Sequence, residues 1–310
     1  MRGAFIRTLT VLAKADPRII LATGDLGFKI FDDFRTQCPR QFLNVGVAEA
    51  SLMGMAAGMA LEGKKPFCYS IASFLTMRPF EHIRNDICFH KADVKIVGVG
   101  GGFSYGPNGP SHHALNDVAL MRALPEMKVL TPGDPYEAAW AIKAAHQCPG
   151  PVYVRLGRSG EPAVHGGDVR LALGKSILME DGKDIAILAS GLMLKTGVEA
   201  AGLLKAQGLS VRLVSFPSVK PLDEAMLADT FRNCGHIFTL EEHGIAGGFG
   251  AAVAEFAITK DLNLAKMHII AAPDETTHQT GSHEYLREQA GLTAPQVYQA
   301  MLLKLDKNLC

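Results

Sequence analysis

The sequence predicts an α/β fold of two parallel-sheet domains, and three observations carry that expectation. Short runs rich in β-branched residues alternate with longer helical stretches. The links between them are short, as in parallel strands joined by crossover helices. A length of 310 residues is long for one core and natural for two of ~150 residues each.

Taken in order, Ile19-Ile20-Leu21-Ala22-Thr23 is a compact apolar run that stops at Gly24-Asp25, the pattern of a strand buried on both faces. Runs at 67–71, 94–99, 129–130 and 152–154 repeat it. Helices are expected between them at 47–61, 80–90, 114–123 and 135–145, the last with Pro135 at its start and Asp134 as its cap. A Gly-rich, polar stretch from Arg158 onward breaks the periodicity. It places a linker at 161–174 between domains spanning 1–160 and 175–310. Beyond it, strands are expected at 185–189, 211–215, 237–240 and 268–271, with helices at 195–207, 223–232 and 248–258. The second domain is therefore a smaller α/β unit.

Composition removes several function classes. Hydrophobic residues make up 48% and charged residues 20% of the chain, enough to build cores and unlike a disordered segment. The formal net charge is zero, so no surplus of Lys and Arg is available to neutralise phosphates, and nucleic acid is not an expected partner. The first ten residues are too short and polar a stretch for a signal peptide. No apolar run approaches the ~20 residues that span a bilayer, so no membrane association is expected. Cys38, Cys68, Cys88, Cys148, Cys234 and Cys310 are scattered without a Cys-x-x-Cys pair. They read as reduced thiols of a cytoplasmic protein.

Four stretches of the first domain follow expected strands, where open parallel sheets bind ligands. Thr23-Gly-Asp25-Leu26-Gly27, taken alone, is a strand-to-loop turn. In Asn44-Val-Gly-Val-Ala-Glu49 and the apolar, small-residue helix after it, Glu49 is the exception. Apolar residues occupy every face of that helix, so it is expected to be buried all round, and a carboxylate there is costly without a dedicated partner. A surface Glu49 at the favourable end of the helix dipole is the alternative. Ile71-Ala-Ser-Phe74-Leu-Thr-Met-Arg-Pro-Phe80 places aromatics after a strand, where core packing is their usual role. The fourth stretch, Gly100 to His113, is a long Gly/Pro-rich loop with adjacent histidines and no apolar period, the kind of segment that holds function on a rigid sheet.

In this order the motifs resemble the pyrimidine-binding domain of transketolases, a pattern shared by deoxyxylulose-phosphate synthases. Gly24-Asp25-Leu26 comes first, then Asn44 to Glu49, Ser73-Phe74, Gly109-Pro-Ser-His112 and Pro151-Val-Tyr-Val-Arg-Leu-Gly-Arg158. Phe238-Thr-Leu-Glu-Glu-His243 and the Gly-rich stretch after it are similar to the transketolase C-terminal domain, so the resemblance covers nearly the whole chain. The family's Gly-Asp-Gly…Asn-Asn pattern, which holds the cofactor diphosphate through Mg2+, is missing. The resemblance therefore implies a C-terminal-half subunit of a split enzyme, completed as an α2β2-type assembly by an N-terminal-half chain that carries the diphosphate and magnesium. No metal ligand is assigned to this chain.

The resemblance also implies roles. Thiamine diphosphate is the cofactor. Glu49 would hydrogen-bond its aminopyrimidine and favour the imino tautomer; set among Ala, Met and Gly, it is expected to remain a proton donor near neutral pH. Phe74 would stack on the pyrimidine, and Leu26 would support the cofactor with Asp25 beside it. His112 would contact the substrate carbonyl or hydroxyl as a proton handler. Arg158 would bind a substrate anion.

Two departures bear on the substrate. Asn108 stands where the family usually has Asp, and Gly100-Gly101-Gly102 where it has a basic phosphate-binding residue; Lys29 could partly replace that base. An unusual sugar, or one with a different terminal anion, is credible. The implied activity is transfer of a two-carbon ketol unit from a ketose to an aldose. A deoxyxylulose-phosphate-synthase-like enzyme, the β chain of a 2-oxo-acid dehydrogenase and a catalytically silent scaffold are the alternatives.

Overall fold

The computed structural model describes residues 1–27 and 29–306; Cys310 lies outside them. Among the described residues, twelve strands form two sheets. The first contains β1 (Ile19–Thr23), β2 (Phe42–Asn44), β3 (Lys65–Ile71), β4 (Lys95–Val99), β5 (Lys128–Leu130) and β6 (Val152–Leu156). The second contains β7 (Ile177–Glu180), β8 (Ile185–Ala189), β9 (Val211–Ser215), β11 (His236–Gly244) and β12 (Met267–Ala272). Between β9 and β11, the short strand β10 (Ser218–Lys220) leaves its own domain and pairs antiparallel with β5. The first sheet therefore runs β10-β5-β6-β4-β3-β1-β2 and the second β12-β11-β8-β9-β7. Both sheets are parallel apart from one antiparallel edge strand each, β10 and β7.

Strands β4, β6, β8 and β9 are buried along their full length because helices cover both faces of each sheet. Helices Arg2–Ala15 and Pro135–Gln147 pack together on one face of the first sheet through Phe5, Leu9, Ala138 and Ala141. The second of these starts as expected: Pro135 opens it, and Asp134 accepts the Glu137 amide at 2.8 Å. On the other face, one hydrophobic cluster runs without a break from Leu52, Met121 and Leu124 to Phe216, Phe249 and Val253 of the second domain. The segment between the domains has no regular structure but is tied down. Val164 and His165 donate their amides to Asp134, Trp140 donates its indole N–H to the Leu171 carbonyl, and Glu161 accepts from the Met1 ammonium at 2.7 Å.

Three expected helices change in detail. The one expected at 47–61 starts at Glu49. The one at 114–123 starts at Asp117, because 3-10 turns and a bridge to Gly102 occupy the residues before it. The one at 80–90 is largely a π-helix, Ile83–Cys88. Among the described residues, no helix is long and apolar enough to cross a membrane, and the five described cysteines are free.

Candidate active site

Strands β6, β4, β3 and β1 lie side by side, and parallel pairing brings their carboxyl ends to one edge of the sheet. The turn at Gly24, the helix bearing Phe74, the Gly-rich loop and Arg158 all leave from that edge.

Glu49 opens helix Glu49–Leu61 and is only 3% exposed. Its Oε1 accepts from the Ser70 hydroxyl at 3.1 Å, and its Oε2 accepts from the Arg78 guanidinium at 2.8 Å. Sequence predicts only small and apolar neighbours here; the structure adds a cation. Sequence also predicts burial on every face of the helix, yet Leu52, Met53, Ala56 and Ala57 face the core while Ser51, Met55, Gly58 and Leu61 are exposed. A helix that is apolar all round carries no stripe to say which face its own chain covers.

From Glu49 a row of flat groups crosses the site. The Arg78 guanidinium carbon sits 4.2 Å from the centroid of the Phe74 ring. Phe74 meets His112 edge to face at 4.9 Å. His112 lies 6.1 Å from the Tyr105 ring, over which Arg158 sits at 5.0 Å. The structure thus joins Glu49, Phe74, His112 and Arg158 through one chain of neighbouring groups. Arg78 and Tyr105, which sequence reasoning misses, are the connecting pieces. A usable signal exists for Arg78: it is the one charge in the run 71–80, four residues and one helical turn from Phe74.

The two adjacent histidines part company. His112 is half-buried, with Nδ1 paired to the Ser111 hydroxyl at 3.0 Å. Burial, and then the charge of Arg78, lower its pKa from the ordinary value, which favours the neutral form near pH 7. His113 turns inward against Phe103, with its Nε2 unpartnered.

The remaining sequence-predicted residues lie at the margin. Asp25 is exposed at φ 57°, a left-handed conformation costing about 1 kcal/mol. It is held there by a reciprocal pair: its amide donates to Asn44 Oδ1 at 3.0 Å, and Asn44 Nδ2 donates to its carboxylate at 2.9 Å. Leu26 is half-buried beside it. A Cβ on Gly24 would stand 3.7 Å from Glu49 Oε1, so this turn borders the carboxylate. Asn108 is exposed on the Gly-rich loop. Lys29 is exposed at φ 64°, and no hydrogen bond or ion pair joins it to the row among the described residues.

The Glu241-Glu242-His243 triplet is buried in β11. Burial pushes Glu241 up to about 7 even though its carboxyl receives the Phe249 and Gly250 amides at the head of the next helix. Burial also pushes His243 down to about 4. Glu242 receives the Phe103 amide of the Gly-rich loop at 2.7 Å, together with His283 and Arg287.

Chemically, the row offers a buried carboxyl, an aromatic face, a neutral imidazole and an exposed guanidinium: a proton site, a stacking surface, a second proton site and an anion clamp. Residues 1–162 match the model of the transketolase pyrimidine binding domain, and 174–297 that of the transketolase C-terminal domain. The chain is 36% identical over 285 residues to one subunit of an apulose-4-phosphate transketolase from Phocaeicola vulgatus, covering 91% of this chain and 90% of that protein. It is 34% identical to a 1-deoxy-D-xylulose-5-phosphate synthase of Heliobacterium modesticaldum over 94% of this chain and 45% of the other. A solved structure described as a split gene transketolase, inactive beta4 tetramer, superposes with a TM-score of 0.89 at 38% identity, covering 98% of this chain and 97% of that one.

Proposed function

Because this chain belongs to the transketolase family, we propose that it is the pyrimidine-binding half of a split, thiamine-diphosphate-dependent transketolase. A partner chain would supply the diphosphate-binding domain and its Mg2+. The relative from Phocaeicola is named as one subunit of a transketolase and the superposing structure as a split gene transketolase, which supports a two-chain enzyme.

The observation that carries the reading is the pairing of Glu49 with Phe74 across a gap that already accepts a flat, nitrogen-bearing group. The Arg78 guanidinium sits there, hydrogen-bonded to the carboxylate at 2.8 Å and 4.2 Å over the ring. An aminopyrimidine is also flat and nitrogen-edged, so the residues present fit the cofactor.

When bound, thiamine diphosphate supplies an acidic thiazolium carbon that, once deprotonated, serves as the nucleophile. This chain's residues do the rest. Glu49 holds a proton at a pyrimidine ring nitrogen, and its burial keeps water from competing for that bond. Phe74 provides the stacking face. His112, neutral and oriented by Ser111, can accept a proton from a substrate hydroxyl or share one with a carbonyl. Arg158, exposed on top of Tyr105, would grip a terminal anion. The expected donor is therefore a ketose with an anionic end, and a phosphate ester agrees with the substrate named for the Phocaeicola relative.

The test is to co-express this chain with a candidate partner carrying the Gly-Asp-Gly…Asn-Asn pattern and to screen ketose donors with thiamine diphosphate and Mg2+. Two-carbon transfer to an aldose supports the reading. Carbon dioxide release from pyruvate would favour the synthase-like alternative, for which the Heliobacterium relative is the supporting observation. A pair that binds no cofactor would leave a silent scaffold.

A further inference from the structure

We propose that Arg78 is a built-in occupant of the pyrimidine subsite, holding Glu49 and Phe74 in the unloaded chain and swinging out when the cofactor enters. The proposal rests on the reading of the site given above.

Arg78 makes both contacts assigned to the pyrimidine. Its Nη1 donates to Glu49 Oε2 at 2.8 Å, and its planar guanidinium lies 4.2 Å from the Phe74 centroid. The other carboxylate oxygen of Glu49 is taken by Ser70, and a second contact of the Phe74 ring by His112. A pyrimidine that hydrogen-bonds Glu49 Oε2 and stacks on the same face of Phe74 competes with the guanidinium for that place.

The two partners are unequal in a way that allows exchange. The Glu49 side chain is 2% exposed, whereas Arg78 is 49% exposed at the end of helix Ala72–Met77. Glu49 cannot move to water, and left alone it would be a buried carboxylate without a counter-charge, a costly state. Arg78 can leave by rotating its long side chain into solvent. The arginine thus keeps the carboxylate paired in a chain that holds only half a cofactor site. The cofactor must displace it, so the apparent affinity is reduced by the fraction of chains in which Arg78 still occupies the site.

The experiment uses the assembled pair with Mg2+ and titrates thiamine diphosphate by isothermal calorimetry. Arg78→Met is expected to bind about tenfold more tightly than wild type, the order of one half-exposed ion pair plus one cation–π contact. Arg78→Lys, which keeps the charge but not the plane, should fall between. In a Glu49→Gln background, Arg78→Met should change affinity little. For the chain alone, Arg78→Met should lower the melting temperature, and Glu49→Gln should restore it. Equal or weaker binding by Arg78→Met, in a pair that binds the cofactor as wild type, overturns the proposal by itself. Absence of binding in every form sinks the assignment of the site, and the proposal with it.

Discussion

The backbone N–H of Phe103 donates to Oε1 of Glu242 at 2.7 Å, joining the Gly-rich loop of the first domain to a buried strand of the second. Beside it, Gly102 sits at φ 65°, where a Cβ would stand 2.2 Å from the same oxygen. Gly102 also exchanges two hydrogen bonds with Ala114, at 3.0 and 2.9 Å, closing the loop on the far side of His112. The loop that presents His112 is therefore anchored at its start by the second domain, and by Ser73 beside His112.

Removing that anchor should be expensive. Glu242→Ala would leave the Phe103 amide without its acceptor, Arg287 without its counter-charge and His283 without its partner, and it is expected to cost about 3 kcal/mol in urea unfolding. A pH signature should accompany the loss. Burial opposes ionisation of Glu242, but Arg287 and His283 outweigh it and hold the carboxyl well below its ordinary value of 4.5. A depressed acid contributes stability above its unfolded value and loses it as pH falls through that value toward the folded one. Wild type should lose stability steadily below pH 4.5, and Glu242→Ala should lose less over the same range. Equal slopes would contradict the ion-pair account.

Glu49→Gln should leave the fold intact, because the amide still fits the space and can accept from Ser70. The expected loss is at least about a hundredfold in the exchange rate of the thiazolium proton, followed by NMR in the assembled pair. Near-normal exchange would remove Glu49 from the mechanism.

Much of this site is legible in the sequence because its pieces sit on loops whose positions follow from strand order. Glu49 stands out as a carboxylate in an apolar helix, and His112 as an imidazole in a loop without apolar period. Other pieces depend on long-range approach and leave no local mark. Tyr105 reads as another aromatic until it is seen between His112 and Arg158. Strand β10 is three residues long, too short for a period, and is stabilised by pairing with β5 of the other domain. Helix Arg2–Ala15 escapes a reading of the sequence because its polar flanks hide an apolar stripe, Phe5, Leu9 and Ala13, that only its packing against Pro135–Gln147 makes decisive.

His112 should titrate below pH 6.5 in the isolated chain, since burial and then Arg78 both disfavour its charged form. Arg78→Met removes the second cause, so the midpoint should rise toward the ordinary value, read from the imidazole proton shift and assigned by loss of the signal in His112→Asn. A midpoint that does not move would place Arg78 too far from the ring to matter. In the assembled enzyme, His112→Ala is expected to lower kcat/KM by about a hundredfold.

The exposed face of helix Glu49–Leu61 gives the last prediction. Val47, in the bend before the helix, is 71% exposed, and along the helix Met55 is 45% and Leu61 62% exposed, while an added Cβ on Gly54 or Gly58 would meet nothing within 4 Å. Glu49 lies at the head of this helix, and the cofactor it binds has its diphosphate held by another chain under the proposed function. Under that function the partner approaches the Glu49 end, and the small residues Gly54 and Gly58 would let its backbone lie close along the same exposed face. Met55→Glu should therefore leave the melting temperature of the lone chain unchanged while weakening assembly with the partner by at least about tenfold, since a buried unpaired charge at an interface is costly. Sedimentation velocity on the mixed chains decides it: normal assembly of the Met55→Glu variant would move the docking face elsewhere on the molecule.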